Sequence, residues 1–153
     1  MAWNLRTLWK VAMIRQRFRL DKFDWTVTVY YAVHGYYVED IVDELRRIGL
    51  SGEKLETARE NLEVREVNSG LTYVNNGEAV CVIGIASSAA EYMNSIVHEV
   101  MHLCKFIGRA EGLDPYGEEI CYIGGEIAQK MWPKTKLLTS ECGCYTKRIG
   151  KVL

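Results

Sequence analysis

The sequence predicts an α+β fold in which a small antiparallel or mixed sheet packs on helices. Four short runs have the alternating or β-branched composition of strands, and four longer runs carry apolar residues three or four positions apart, as helices do. The strand-like runs come in two pairs, which favours hairpins. With 153 residues the chain is long enough for one core, so we expect residues 1–153 to form a single domain.

The overall composition excludes several classes of protein. Hydrophobic residues make up 48% and charged residues 25% of the chain, as in a soluble globular protein. The formal net charge of −1 does not indicate a basic nucleic-acid binder, so nucleic acid is not an expected partner. No apolar run reaches membrane-spanning length, and the N-terminus lacks the apolar core of a secretion signal. We therefore expect a cytoplasmic protein without a membrane partner.

The five cysteines are an odd number without a secretory context, so disulfides are not expected. Cys81, Cys104 and Cys121 lie in apolar runs and are predicted to be core thiols. Cys142 and Cys144 are close enough in sequence to bind a metal as a pair, but the second pair that would complete such a site is missing.

The first half of the chain predicts a hairpin followed by two helices. Side chains alternate over residues 14–20, where three arginines share one side, and again over residues 25–33 after a short turn. We interpret the arginine row as a solvated strand face rather than a site for acidic partners. Residues 38–48 have helical spacing and stop at Gly49, and a second helix is predicted over about 51–63.

A second hairpin is predicted further along the chain. Residues 71–74 and 79–86 form its strands, because Asn76-Gly77 between them favours a turn with positive φ at both central positions. The strand over 79–86 is almost entirely apolar, which predicts that it is buried on both faces or covered by a neighbour.

A long helix is predicted after that hairpin. Ser88 and Glu91 match a capping box, so the helix is expected to run from about Ala89 to Ile107. Its predicted apolar stripe consists of Ala89, Met93, Ile96, Val97, Val100, Leu103, Cys104 and Ile107.

A last helix is predicted from Glu118 to Met131 or Trp132. It is expected to end before Pro133, which lacks the N–H that a helix interior needs, and to be followed by a loop and an irregular tail. Gly124-Gly125 lowers helix propensity, and its expected benefit is a close approach to the preceding helix.

The long helix carries a His-Glu-x-x-His motif formed by His98, Glu99 and His102. Residues four apart lie on one helix face, so both imidazoles can bind one zinc ion. A glutamate after the first histidine can take the proton of a metal-activated water. The motif therefore predicts a site for a single Zn2+ ion, with Glu99 as the catalytic base.

The third ligand must come from elsewhere in the chain. Glu118 and Glu119 open the last helix, with fifteen residues between His102 and Glu118, and their side chains point about 100° apart, so one of the two is expected to bind. The remaining histidine, His34, follows the second predicted strand and is a candidate second electrophile at the site.

The order of strand, motif helix, loop and glutamate-bearing helix over about residues 79–132 resembles the core of zincin metallopeptidases, in the gluzincin branch. That resemblance implies Glu118 as the third ligand, with Tyr122 four positions later, and leaves Glu119 as the reserve. The chain also resembles small uncharacterised phage and prophage proteins. They share a Gly-Leu-Thr-Tyr-like hairpin and a Glu-x-x-(small)-Tyr-x-x-Gly run, here residues 118–125.

The resemblance implies a zinc-dependent hydrolase that acts on a peptide or protein substrate. The substrate would add to the sheet along an edge strand, expected at 79–86. Tyr116, Tyr122 and His34 are the candidates for stabilising the oxyanion. Two alternatives stay open: a zinc-binding phage or prophage structural or assembly protein without turnover, and a regulatory peptidase with one dedicated substrate such as a repressor.

Overall fold

The computed structural model describes residues 13–33, 37–63 and 70–140. Its four strands and four helices confirm the predicted α+β class. The strands are β1 (Ile14–Arg19), β2 (Thr26–Val33), β3 (Gly70–Asn75) and β4 (Glu78–Gly84). The helices are α1 (Val38–Arg47), α2 (Gly52–Glu63), α3 (Ala89–Ala110) and α4 (Glu118–Leu138). Among these helices, none combines the length and apolar character that a membrane crossing needs.

The strands form one mixed sheet in the order β1-β2-β4-β3. Both predicted hairpins are present, because β1 pairs antiparallel with β2, and β3 pairs antiparallel with β4. The chain then crosses over through α1 and α2, which brings β4 parallel to β2. This pairing corrects the expectation that the strand at 79–86 is an edge strand. It is an inner strand, and β3 lies at the edge instead.

Helices cover both faces of the sheet, and each face has its own hydrophobic core. The first core lies under α3 and α4, and the second lies under α1 and α2. This arrangement explains why β4 is almost entirely apolar, as predicted. It also explains why β2 is buried along nearly its whole length although its sequence alternates. A strand inside a sheet covered on both sides has no solvent-facing side.

Two local signals have the predicted geometry. Gly49 has φ of 106°, and the next amide, on Leu50, donates a 3.0 Å hydrogen bond to the carbonyl of Leu45, which closes α1 with a Schellman motif. Asn76 and Gly77 have φ of 48° and 76°, as the tight turn between β3 and β4 requires.

The motif helix α3 begins as predicted and ends three residues later than expected. The side chain of Ser88 accepts a 3.1 Å hydrogen bond from the amide of Glu91, which caps the first turn. Of the predicted apolar stripe, Ile96, Val100, Leu103, Cys104 and Ile107 are buried, Ala89 is half-buried, and Met93 and Val97 are exposed. The buried face of α3 instead includes Tyr92 and Ser95, each next in the chain to a buried or exposed member of the predicted stripe.

The last helix does not stop before Pro133, as predicted, but continues to Leu138. Two later residues, Thr135 and Leu138, are buried, and their burial favours continuation. A proline deprives a nearby carbonyl of its helical partner. For Pro133 that carbonyl belongs to Gln129, and the next carbonyl, that of Lys130, accepts a 2.6 Å hydrogen bond from the side chain of Gln16 on β1, which holds this turn of the helix against the sheet. Tertiary contacts therefore offset the cost of the proline.

The two long helices approach each other closely at glycines. A Cβ on Gly124 would lie 3.1 Å from the sulfur of Cys104, and a Cβ on Gly108 would clash with Ile120. The expected close approach is thus present at Gly124, whereas Gly125 has no atom within 4 Å of its Cβ position.

Of the three cysteines predicted to be core thiols, Cys81 and Cys104 are buried and Cys121 is exposed. Cys121 precedes the buried Ile123 by two residues, about 200° around the helix, so it faces away from the core. All three are free thiols. Burial raises the pKa of the Cys104 thiol to about 11.

We predict that Gly125→Ala stabilises the protein by about 1 kcal/mol, because alanine has the higher helix propensity and its methyl group meets no neighbour. Gly124→Ala is the matched control. It gains the same propensity but presses a methyl group against Cys104, so its gain is smaller or negative. Urea denaturation of both variants measures the difference. Equal stabilisation would contradict a tight contact between the helices at Gly124.

Candidate metal centre

The helix α3 brings the two motif histidines together, as their spacing predicts. The Nε2 atoms of His98 and His102 are 3.1 Å apart, and the ring planes are inclined by 70°. The ring of Phe106, one further turn along, stacks on His102 with a centroid distance of 5.7 Å. The side chain of His98 is 63% exposed. Both nitrogens therefore face a common point that solvent and a ligand can reach.

The distance between the two nitrogens fits a zinc ion. Zinc–nitrogen bonds are about 2.0–2.1 Å long, so nitrogens 3.1 Å apart subtend an angle of roughly 100° at a shared ion. That angle is near the tetrahedral value that zinc prefers. The two imidazoles thus have the donor type and the separation that zinc needs.

Glu99 occupies a different environment from the histidines beside it. It is only 5% exposed, although glutamate is rarely buried. Its Oε2 accepts a 2.6 Å hydrogen bond from the hydroxyl of Thr72 on β3. Its Oε1 lies 4.0 Å from Nε2 of His98. One carboxylate oxygen is therefore held by the sheet, and the other is directed toward the histidine pair.

A glycine leaves room for this carboxylate. A Cβ on Gly70 would overlap Oε1 of Glu99 and would lie 3.0 Å from the carbonyl oxygen of Val82. Any other residue at this position must displace the Glu99 side chain or the strand. Gly70 and Thr72 share one face of β3 because strand side chains alternate. Together they form the seat in which Glu99 is buried.

The sulfur of Cys81 belongs to the same buried surroundings. Cys81 lies opposite Thr72 in the strand pairing and is fully buried. Burial and the negative charge of Glu99 raise the pKa of the Cys81 thiol far above its ordinary value, although a hydrogen bond with Thr72 opposes this. Burial therefore favours the protonated thiol of Cys81 over the thiolate.

Helix α4 lies on a different flank of α3 from the histidines. Cys104, which contacts Gly124 of α4, follows His102 by two residues, about 200° around the helix. The contacts at Gly108 and Cys104 align the antiparallel helices so that Glu118 lies level with Ala110. That is about 12 Å beyond His102, at 1.5 Å per residue over eight residues.

The two candidate third ligands are at the exposed start of α4. Glu118 is exposed, and Glu119 forms a 3.4 Å ion pair with Lys22. Within residues 13–33, 37–63 and 70–140, no three His, Cys, Asp or Glu side chains are grouped to hold a metal ion. His98, Glu99 and His102 are neighbours on α3, and the contacts between the two helices set the start of α4 about two turns along α3 from His102.

The remaining predicted site residues do not join this group. Tyr116 is 96% exposed and Tyr122 is 68% exposed, and both belong to the α4 side. The amide of Tyr116 donates to the side chain of Asp114 in the preceding turn. His34, Cys142 and Cys144 lie outside the described residues. The exposure of these two tyrosines and the backbone contact of Tyr116 do not support an oxyanion-stabilising role for either side chain.

Two residues of the site, Gly70 and Thr72, were not identified from the sequence. The sequence predicts a hairpin strand for the run Gly-Leu-Thr-Tyr and assigns it no role at the site. A signal was nevertheless present, since a motif glutamate on a helix packed against a sheet needs a hydrogen-bond donor. A glycine and a threonine two positions apart on the neighbouring strand provide space and a donor on the same face.

We predict that Gly70→Ala destabilises the protein by about 1–3 kcal/mol, as overpacking of a tight contact does. The loss should be smaller in a Glu99→Ala background, because the displaced carboxylate is then absent. A double-mutant cycle measured by urea denaturation gives the coupling between the two positions. Purely additive effects would show that Gly70 does not make room for Glu99.

No family model, no curated protein and no solved structure matches this chain. The resemblance to zincins therefore depends on the motif residues and the order of the elements alone. What the chain binds and whether it turns over a substrate follow as proposals from the geometry of the histidine pair and Glu99.

Proposed function

We propose that this chain is a zinc-dependent peptidase in which His98 and His102 bind one zinc ion and Glu99 is the catalytic base. The observation that carries the proposal is the arrangement of Glu99. A buried carboxylate with one oxygen fixed by Thr72 and the other 4.0 Å from a histidine nitrogen suits a base, and a purely structural zinc site does not need it.

When bound, zinc lowers the pKa of its water to about 7. The free oxygen of Glu99 accepts a proton from the attacking water and passes it to the departing amine, so the peptide bond is replaced by an acid and an amine. Thr72 prevents the carboxylate from rotating, because its hydroxyl donates to the other oxygen. Phe106 restrains the ring of His102 by stacking on it.

Glu118 remains our proposed third ligand, with Glu119 as the reserve. Support comes from the resemblance to gluzincins, in which a glutamate at the start of the following helix completes the site. Binding by either residue requires the first turn of α4 to lie closer to His102 than in the present arrangement. Measurement of zinc affinity in single variants decides between them.

The substrate is proposed to be an extended peptide that adds to the outer edge of β3. Within the described residues no strand pairs with that edge, so its backbone groups can pair with a peptide. Thr72 on β3 contacts Glu99, so a peptide along this strand passes beside the base. The strand at 79–86 cannot take this role, because it lies between β2 and β3 in the sheet.

We predict that the purified protein binds about one equivalent of zinc, as a three-ligand site does, and that His102→Ala abolishes this binding. Glu118→Gln should lower the affinity more than tenfold, and Glu119→Gln should leave it unchanged. Isothermal titration with zinc measures both values. Asn94→Ala, an exposed position on the same helix, is the control.

Full zinc binding by His102→Ala would overturn the proposed site. Wild-type affinity in both glutamine variants would exclude both glutamates as ligands.

We predict that Glu99→Gln keeps zinc but loses at least a hundredfold in peptide hydrolysis, because the amide cannot accept the proton. Mass spectrometry of a peptide library incubated with the zinc-loaded protein measures cleavage. Glu60→Gln, an exposed glutamate on α2, is the matched control. Equal cleavage by wild type and Glu99→Gln would remove Glu99 from the mechanism. A zinc-loaded protein that cleaves no peptide would favour an assembly role instead.

A further inference from the structure

A cleft of about 150 Å³ lies on the opposite side of β3 from Glu99, between that strand and helix α2. It is lined by Leu50, Lys54, Thr57, Ala58, Asn61, Leu71, Thr72 and Tyr73. A cavity of this volume accommodates a group the size of a benzene ring. The cleft has no part in the proposed zinc chemistry, yet it shares Thr72 with the site of Glu99.

The two faces of β3 have different neighbours because its side chains alternate. Thr72 points to α3 and donates to Glu99, whereas Leu71 and Tyr73 pack on the core beneath α1 and α2. A peptide strand added to the edge of β3 would alternate in the same way, about 4.8 Å away. Every second side chain would face α3 and the histidines, and the others would face α2 and the cleft.

The lining of the cleft indicates which side chains it accepts. Leu50 and Ala58 are buried beneath it, and the aromatic ring of Tyr73 is half-buried beside it, so the floor is apolar. The rim carries the polar side chains of Thr57 and Asn61 on exposed positions of α2. An apolar floor with a polar rim suits an apolar side chain whose backbone stays near solvent.

Lys54 adds a charge preference at one end of the cleft. It is exposed and forms no ion pair within the described residues, whereas the nearby Arg59 pairs with Glu39 and Glu56. It lies toward the Asn75 end of β3, because the Asn75 side chain donates 2.7 Å to the carbonyl of Ile48, shortly before α2 begins. Its ammonium group is therefore available to a carboxylate on a bound peptide.

We infer that the cleft between α2 and β3 binds a side chain of an extended peptide, and that it selects a large apolar residue with an acidic residue two positions away. Side chains two positions apart on a strand share one face, so one can fill the cleft while the other meets Lys54. The inference names a substrate class for the proposed peptidase and rests on that function, but binding at the cleft requires neither zinc nor hydrolysis.

The test uses Glu99→Gln protein without metal and a library of fluorescein-labelled octapeptides. Fluorescence polarisation is expected to select peptides in which Leu or Phe lies two positions from Asp or Glu. In amide NMR spectra the selected peptides should shift residues 71–73 and 54–61. An absence of binding by every peptide, or shifts confined to other residues, would overturn the inference.

Variants that obstruct the cleft make the test specific. Thr57→Trp places an indole ring over the cleft from an exposed helix position and should weaken binding at least tenfold. Glu63→Trp, an exposed position at least 120° around the same helix from Lys54, Thr57 and Asn61, should leave binding unchanged. Asn61→Trp serves the same purpose if Thr57→Trp does not fold by circular dichroism. Equal affinities in the obstructed and control variants would contradict binding at the cleft.

Charge variants test the acidic preference separately. Lys54→Glu should remove the preference for Asp or Glu, and Lys136→Glu, which changes the net charge equally on an exposed position of α4, should retain it. An unchanged preference in Lys54→Glu would overturn the assigned role of this lysine.

Failure of the inference and failure of the peptidase proposal give different results. If Thr57→Trp weakens peptide binding but the wild-type protein is found to bind no zinc, the peptide-binding role of the cleft is supported and the peptidase proposal is overturned. Zinc-dependent cleavage that proceeds equally in wild type and Thr57→Trp, for every peptide, would support the peptidase and overturn the cleft.

Discussion

The burial of one carboxylate determines how the rest of the site is arranged. Glu99 is enclosed between α3 and the sheet, where Thr72 donates to it and Gly70 leaves space for it. A buried charge is costly unless it is hydrogen-bonded, so this seat fixes the rotation of α3 about its axis. Once the rotation is fixed, His98 and His102 fall on the flank that borders solvent.

The opposite flank of α3 has a different task. Gly108 of α3 and Gly124 of α4 allow the two helices to pack closely. Helix α4 in turn packs against β1, where the side chain of Gln16 donates a hydrogen bond to the carbonyl of Lys130. The two flanks are separated because helical positions two apart lie about 200° apart. The same separation puts the contact with α4 and the histidine pair on different flanks of α3, although the glycines bring the two helices together as expected.

The edge strand β3 contacts the helices on both faces of the sheet, α3 on one face and α2 on the other. One face holds the base of the proposed reaction, and the other forms a wall of the cleft beside α2. This double role follows from the period of two along a strand, which sends neighbouring side chains to different layers. An extended ligand paired with this edge would be recognised by both layers at once, the chemistry on one face and the selectivity on the other.

The sequence by itself determined the elements and the local geometry of the histidine pair. Hairpin turns, helix caps and the four-residue spacing of His98 and His102 are local, and each depends on residues close in the chain. The tertiary structure alone decided that β4 is an inner strand, that α4 passes through Pro133 and that Thr72 and Gly70 enclose Glu99. These outcomes depend on packing between segments far apart in the chain, which propensity and periodicity do not encode.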